Sequence, residues 1–278
     1  MTVHQLIDAI RTKKSYLCVG LDTDIQKLPA GMPATPEAVL AFNRAIIDAT
    51  LPYCVSYKIN TAFYEALGAP GWDVMSETVR HIPSSHFVIA DAKRGDIGNT
   101  SSLYARAFFE QLGVDAVTVA PYMGEDSIRP FLEYHDKVTI VLGLTSNAGA
   151  QDFELLPIQG RDGQHRLLYE QVIETIAGWG TPTNLMFVTG ATQAGHLKQI
   201  RQIVPEHFLL VPGVGFQGGS LLDVSRDAMN AHVGLLVNAS RAIIYASRKD
   251  DFASEAAAIA EQYQVEMAGY LAAFAAKS

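Results

Sequence analysis

The run His86-Phe87-Val88-Ile89-Ala90-Asp91-Ala92-Lys93-Arg94-Gly95-Asp96-Ile97-Gly98-Asn99-Thr100 decides how the chain is read. Phe87 to Ala90 form an apolar strand of the kind buried on both faces. The strand empties at once into two carboxylates and an ammonium. Residues two apart on a strand share a face, so Asp91 and Lys93 are expected side by side beyond the strand end. Asp96 follows on a turn that Gly95 and Gly98 permit. A lysine held between aspartates keeps its proton, because nearby opposite charge favours the charged form. It is set up to donate a proton, and an aspartate held where an anion binds destabilises that anion. Taken alone, the pattern also describes an ion-pair network at a strand end, which is worth little. The rest of the chain separates the two readings.

Outward from this stretch, short apolar runs alternate with longer amphipathic ones. Strand-like runs fall at about residues 16–22, 53–58, 86–90, 116–120, 138–144, 185–189, 208–211 and 234–237. Helical patterns cover 3–13, a stretch from Pro36 with Thr35 as N-cap, then about 61–82, 99–112, 126–134, 165–178, 192–204, 220–231 and 251–275. A long loop rich in Gly, Asn, Gln and Asp follows the fifth strand, through about residue 163. Eight strand–helix units in order imply a parallel sheet, and eight is the number that closes a (β/α)8 barrel. The expected fold is therefore α/β, a TIM barrel with an extra N-terminal helix. An open doubly wound sheet competes, but neither GxGxxG nor GxxxxGK[ST] follows the first strand. With no linker, low-complexity tract or repeat, a single domain over residues 1–278 is expected.

A net charge of −8 argues against a nucleic-acid partner, which needs a basic stripe. Cys18 and Cys54 sit in apolar runs without CxxC spacing and are expected as buried free thiols. The eight histidines form no HxH or HxxxH pair, so no histidine metal site is expected. No secretory signal is visible, and no run approaches the ~18 apolar residues of a membrane span. A cytoplasmic protein with no membrane partner is expected, which leaves the sequons at Asn99 and Asn238 without glycosylation meaning.

Barrel active sites lie at the C-terminal ends of the strands, and the polar residues gather there. Asp22 and Asp24 follow the first strand, Lys58 and Asn60 close the second, and Asp91, Lys93 and Asp96 follow the third. Ser146 and Asn147 follow the fifth, Thr189 and Thr192 the sixth, and Asn238, Ser240 and Arg241 the eighth. The Gly-rich loop Pro212-Gly-Val-Gly-Phe-Gln-Gly-Gly219 follows the seventh strand; with Arg241 it reads as a phosphate site, since glycines let backbone N–H groups approach an anion and arginine adds a charged fork. The alternative is a flexible connector plus a surface arginine. Asp22, Lys58, Asp91 and Lys93 make an array of alternating sign, in which each charge satisfies the next; a structural network would look the same. Ser146 and Asn147 suit the carbonyl and N–H edge of a heterocycle, although an ordinary Ser/Asn turn explains them nearly as well. No GxSxG context marks Ser146 as a nucleophile.

The segment Asp91-x-Lys93-x-x-Asp96, followed by Ile97-x-Asn99-Thr100, resembles the signature of the orotidine 5′-phosphate decarboxylases. Gly20-Leu21-Asp22, Tyr57-Lys58, Thr145-Ser146-Asn147, Pro212-Gly213-Val214-Gly215 and Asn238-Ala239-Ser240-Arg241 are similar to that family's other strand ends, in order, over about residues 14–245. The length and an insertion near 148–163 are closest to the longer bacterial branch. The resemblance implies decarboxylation of orotidine 5′-phosphate (OMP) to uridine 5′-phosphate (UMP) in pyrimidine biosynthesis, with no cofactor and no metal. It implies a homodimer with shared active sites. By it, Lys93 protonates C6 of the pyrimidine, Asp91 lies near the substrate carboxylate, and Asp96 and Thr100 reach across from the partner subunit. Asp22 and Lys58 contact ribose or order the charge array, and Ser146 reads the pyrimidine edge. Gln217 bridges phosphate and base from the loop that starts at Pro212, and Ser240 with Arg241 holds phosphate. It supplies no role for the insertion. Two rivals remain: a magnesium-dependent phosphosugar decarboxylase or synthase, which carries an acidic residue where Lys58 stands, and a non-catalytic nucleotide-phosphate sensor, which needs the anion site but not the carboxylates.

Overall fold

The computed structural model describes residues 1–160, 163–191, 194–214 and 219–275. Helix α1 (Val3–Lys13) comes first. The strand and helix pairs that follow are β1 (Leu17–Gly20) with α2 (Pro36–Thr50), β2 (Ser56–Asn60) with α3 (Thr61–Glu65) and α4 (Ala69–His81), and β3 (Phe87–Arg94) with α5 (Gly98–Arg106). Next are β4 (Ala116–Val119) with α6 (Glu125–Leu132), and β5 (Val138–Leu144), then a hairpin of β6 (Pro157–Gln159) and β7 (His165–Leu167), and α7 (Leu168–Ala177). The chain closes with β8 (Leu185–Thr189), α8 (Ala194–Ile203), β9 (Phe208–Pro212), α9 (Leu221–Ala228), β10 (Leu235–Ala239), α10 (Arg241–Ile244) and α11 (Phe252–Phe274).

Eight parallel strands close on themselves in the order β1-β10-β9-β8-β5-β4-β3-β2, and β6 and β7 form a separate two-stranded antiparallel sheet. The expected TIM barrel is therefore observed. Its strands are buried almost throughout, which is why they read as unbroken apolar runs rather than alternating ones. Thr35 caps α2 by accepting from the Ala38 N–H at 3.3 Å, with Pro36 in the first turn.

The extra helix α1 crosses the N-terminal end of the barrel. At its start the Met1 ammonium pairs with Asp115, just before β4. At its end Lys13 Nζ donates to the carbonyls of Leu51 (2.6 Å) and Cys54 (2.9 Å), just before β2, and lies 2.7 Å from His86 Nε2. Leu6 and Ile10 fill the space beneath and are fully buried. Both cysteines are free and buried, and burial raises the thiol of Cys18 to about 12 and that of Cys54 to about 11.

Two local expectations are corrected, over 165–178 and after β10, and two are refined. The helix expected over 165–178 starts only at Leu168, because His165–Leu167 pair with Pro157–Gln159. The helical pieces expected over 61–82 are α3 and α4, separated at Gly68, whose φ of +69° a helix cannot use. The helix over 99–112 changes from α to π geometry at Ala107. A four-residue helix, α10, follows β10 where only a polar loop was read.

Candidate active site

The C-terminal ends of the strands enclose a cavity of about 280 Å³. Asp22, Lys58, Asp91, Lys93, Ser146, Pro212, Ser240 and Arg241 all line it, and Leu142, Val188 and Leu210 supply an apolar floor. Asp96 and Thr100 do not line it. The Asp96 carboxylate accepts from the N–H of Ile97 at 2.8 Å, and Thr100 is exposed on the outer surface. Gln217, Gly215, Gly218 and Thr192 lie outside the described residues.

The charged array is real and centres on Asp91. Its Oδ2 accepts from Lys58 Nζ at 3.0 Å; its Oδ1 accepts from Lys93 Nζ at 2.7 Å and from the Thr118 hydroxyl at 2.9 Å. Lys58 also reaches Asp22 Oδ1 at 3.4 Å. The lysine held between two aspartates is thus Lys58, with 4% of its side chain exposed; Lys93, with 50% exposed, is paired with Asp91 alone among the described residues. Burial pulls the Lys58 ammonium down, but Asp22 and Asp91 outweigh it and hold its pKa above the ordinary lysine value. Burial likewise pushes the Asp91 carboxyl up, and the two ammoniums override it, holding the group well below the usual carboxylate range. Both groups are ionised at neutral pH.

Asp91 and Lys93 meet, but not by strand alternation. Between Ala90↔Val117 and Arg94↔Val119, β3 advances four residues while β4 advances two. This bulge re-aims the side chains, and Lys93 takes a left-handed conformation with φ +47°. For a non-glycine residue that conformation costs about 1–2 kcal/mol, and such strain clusters at functional sites. Thr118 on β4 holds the bulge from inside. It is fully buried, its Oγ1 accepts the Lys93 backbone N–H at 2.9 Å, and its hydroxyl donates to Asp91. Arg94 pins the far side through an ion pair with Glu65, a 3.0 Å bond to the Ala92 carbonyl, and packing over Tyr104 and Phe108.

Asp22 is placed by a buried polar cluster. Tyr64 donates to the Leu21 carbonyl at 3.0 Å, and Asn43 binds Thr23, Tyr64 and Thr78 at 2.6–3.1 Å. Tyr245 accepts from the Asp24 N–H at 2.7 Å and donates to the Asp22 carbonyl at 3.3 Å.

On the opposite wall, Ser146 packs against the bare backbone of Gly190, where a Cβ would stand 2.6 Å from Ser146 Cβ. Gly20 makes the same room for Ser240, whose Cβ would be 2.6 Å from a side chain there. Ser240 Oγ is buried at the cavity wall with no hydrogen-bond partner among the described residues, as is Asn238 Oδ1. Buried polar atoms of this kind suit a polar ligand. Sequence reasoning did not single out Thr118, because a threonine inside an apolar strand reads as β-branched filler.

A closed parallel barrel with alternating charge and polar hydroxyls at its C-terminal mouth defines a (β/α)8-barrel enzyme. Comparison with known proteins narrows the class. Residues 15–257 match the orotidine 5′-phosphate decarboxylase / HUMPS family. The orotidine 5′-phosphate decarboxylase of Porphyromonas gingivalis is 56% identical over 273 residues, 96% of this chain and 98% of the relative. That of Christiangramia forsetii is 53% identical over 274 residues, 98% of this chain and 99% of the relative. The structure of Leishmania donovani OMP decarboxylase superposes with a TM-score of 0.80 at 36% identity, covering 97% of this chain and 99% of that one. The chain belongs to the orotidine 5′-phosphate decarboxylase / HUMPS family.

Proposed function

We propose that this chain decarboxylates OMP to UMP and CO2 in pyrimidine biosynthesis, with Lys93 as the proton donor and no metal or organic cofactor. The observation that carries the reading is the Asp22–Lys58–Asp91–Lys93 array at the barrel mouth, in a chain whose relatives at 53–56% identity bear that name.

The C6–carboxylate bond breaks and leaves its electron pair on C6, where no carbonyl is placed to delocalise it. The Lys93 ammonium supplies fixed positive charge where that pair develops, and preorganised charge of this kind is usually the largest catalytic contribution. A proton then moves from Lys93 Nζ to C6, giving UMP, and the amine regains a proton from solvent. Asp91, held ionised by two lysines, aims the ammonium and repels the substrate carboxylate until CO2 leaves. Two like charges ~4 Å apart cost about 4 kcal/mol at an effective dielectric of 20, less after screening, so cation placement and proton donation rank above repulsion. Ser146 reads the pyrimidine edge, Asp22 and Lys58 the ribose. Pro212, Gln217, Ser240 and Arg241 belong to the phosphate end, whose remote binding energy desolvates the reacting end.

The working form is a cytoplasmic homodimer. Asp96 and Thr100 stand away from their own cavity on either side of Ile97, which is 56% exposed, a segment suited to a second copy whose site they complete.

A magnesium-dependent phosphosugar enzyme is less consistent with Lys58, a buried ammonium that stands between and pairs with the two carboxylates a divalent cation needs. The test is loss of OMP absorbance in excess EDTA. Full turnover is expected. Activity that vanishes with EDTA and returns with Mg²⁺ overturns the cofactor-free reading, and UMP binding without CO2 release makes the chain a sensor instead.

A further inference from the structure

The insertion after β5 carries a carboxylate that reaches back to the cavity wall. Glu154 Oε2 accepts from the Thr145 backbone N–H at 2.7 Å, and Glu154 Oε1 accepts from the Thr145 hydroxyl at 2.9 Å. The same hydroxyl lies 2.6 Å from Asn147 Oδ1. The carboxylate therefore anchors the backbone of the residue preceding Ser146 and shares that residue's single hydroxyl proton with Asn147 Oδ1, tying together the Thr145-Ser146-Asn147 turn.

Glu154 is itself held from the other side. Its carbonyl accepts from the Tyr169 N–H at 2.9 Å, at the start of α7, and Tyr169 is almost fully buried. The Leu155 N–H donates to Ala150 at 3.1 Å, the Leu168 N–H donates to Leu156 at 2.9 Å, and the side chain of Leu155 packs on the core. Behind the turn stands Gly190, whose N–H donates to the Leu144 carbonyl at 2.8 Å and whose missing side chain leaves room for Ser146. The turn is clamped between a charged acceptor in front and bare backbone behind. Hydrogen bonds to an ionised group are the stronger kind, and a site holds its geometry only when its supporting contacts do.

We propose that Glu154 is a positioning residue that sets the Ser146 turn for the base of the bound nucleotide, and that the insertion exists to present it. This rests on the assignment of Ser146 to the pyrimidine end. The consequence is selective: the brace acts on the base and not on the phosphate, which lies on the far wall at Ser240 and Arg241.

The experiment compares equilibrium affinities for UMP and for ribose 5-phosphate in the wild type, Glu154→Ala and Glu154→Gln. The alanine variant loses both acceptors, and its UMP affinity is expected to fall about tenfold or more while its ribose 5-phosphate affinity stays within about twofold. The glutamine amide accepts from the Thr145 N–H and donates to the hydroxyl, so UMP affinity returns to within about threefold of wild type. Equal losses for both ligands in the alanine variant, or no loss for either, overturn the proposal. If the alanine variant does not fold, Glu154→Met, which keeps the bulk and lacks both acceptors, takes its place: UMP binding about tenfold weaker with ribose 5-phosphate within about twofold supports the brace, and equal losses or no loss overturn it. A wild type that binds UMP no tighter than ribose 5-phosphate overturns the base assignment itself, independently of the brace.

Discussion

Thr118→Val removes a hydroxyl and changes almost nothing else in volume or shape. Two hydrogen bonds of 2.9 Å go with it, one to the Asp91 carboxylate and one from the Lys93 backbone N–H. A bond to a charged group contributes about 1.5–3 kcal/mol, and a buried donor left unmade costs about 1–3 kcal/mol. The left-handed conformation of Lys93, at φ +47°, loses the acceptor that holds it. Relaxing it recovers about 1–2 kcal/mol but moves the ammonium off its line. The surviving pairs from Asp91 to Lys58 and Lys93 retain part of the geometry. A net loss of about 3 kcal/mol in the competent arrangement is reasonable, which is about a hundredfold in kcat. Steady-state turnover of OMP measures it, with UMP affinity as the control for the phosphate and base ends. The expected result is a kcat lower by about two orders of magnitude, UMP affinity within about threefold, and recovery to within about fivefold in Thr118→Ser, which keeps the hydroxyl. A valine variant with kcat within about threefold of wild type refutes the argument that Thr118 holds the bulge.

Two further outcomes follow from the charges. Lys58→Met removes one of the two ammoniums that hold Asp91 ionised and leaves a buried carboxylate underpaired. It is expected to cost about 3–5 kcal/mol of stability in urea unfolding, and to move the acid limb of kcat/KM upward as the Asp91 carboxyl rises. His86 and His207 are both lowered to about 4, first by burial and then by the neighbouring cations Lys13 and Arg201. A lowered folded-state value means the unfolded chain binds more protons between the two values. Stability from these groups is complete above the ordinary histidine value near 6.5 and is lost as pH falls from there to about 4. Unfolding free energies from urea titrations should fall across that window by roughly 1–2 kcal/mol per histidine after solvent screening, and His86→Gln should flatten its share.

The barrel was legible because its strands are buried on both faces and so carry uninterrupted apolar runs, each ended by the polar residues of a mouth. The array was legible for the same reason: Asp22, Lys58 and Asp91 each fall where an apolar run stops, and closure of the barrel brings them to within 3.4 Å of one another through Lys58. What joins Lys93 to Asp91 was read from the wrong cause. Alternation predicts a shared face on a regular strand, whereas the two extra residues of the bulge and the Thr118 hydroxyl produce the contact. Bulges depend on the partner strand and leave no local signature in an Ala-Lys-Arg run. The β6–β7 hairpin was hidden because three-residue strands are too short to show a period, and Glu154 because a carboxylate in a polar loop looks like solvated surface. Asp96 and Thr100 belong to the motif in sequence but not to the same cavity in space, a separation that follows from the turn at Gly95 and from α5 leaving the mouth.

The central claim is that the Lys93 ammonium meets the electron pair released at C6. Turnover of OMP by Lys93→Ala, beside its affinity for UMP, tests it most directly. The account predicts a kcat lower by at least about a thousandfold, since general acid catalysis and fixed charge are lost together, with UMP binding changed far less. A variant that decarboxylates within about tenfold of the wild-type rate contradicts it.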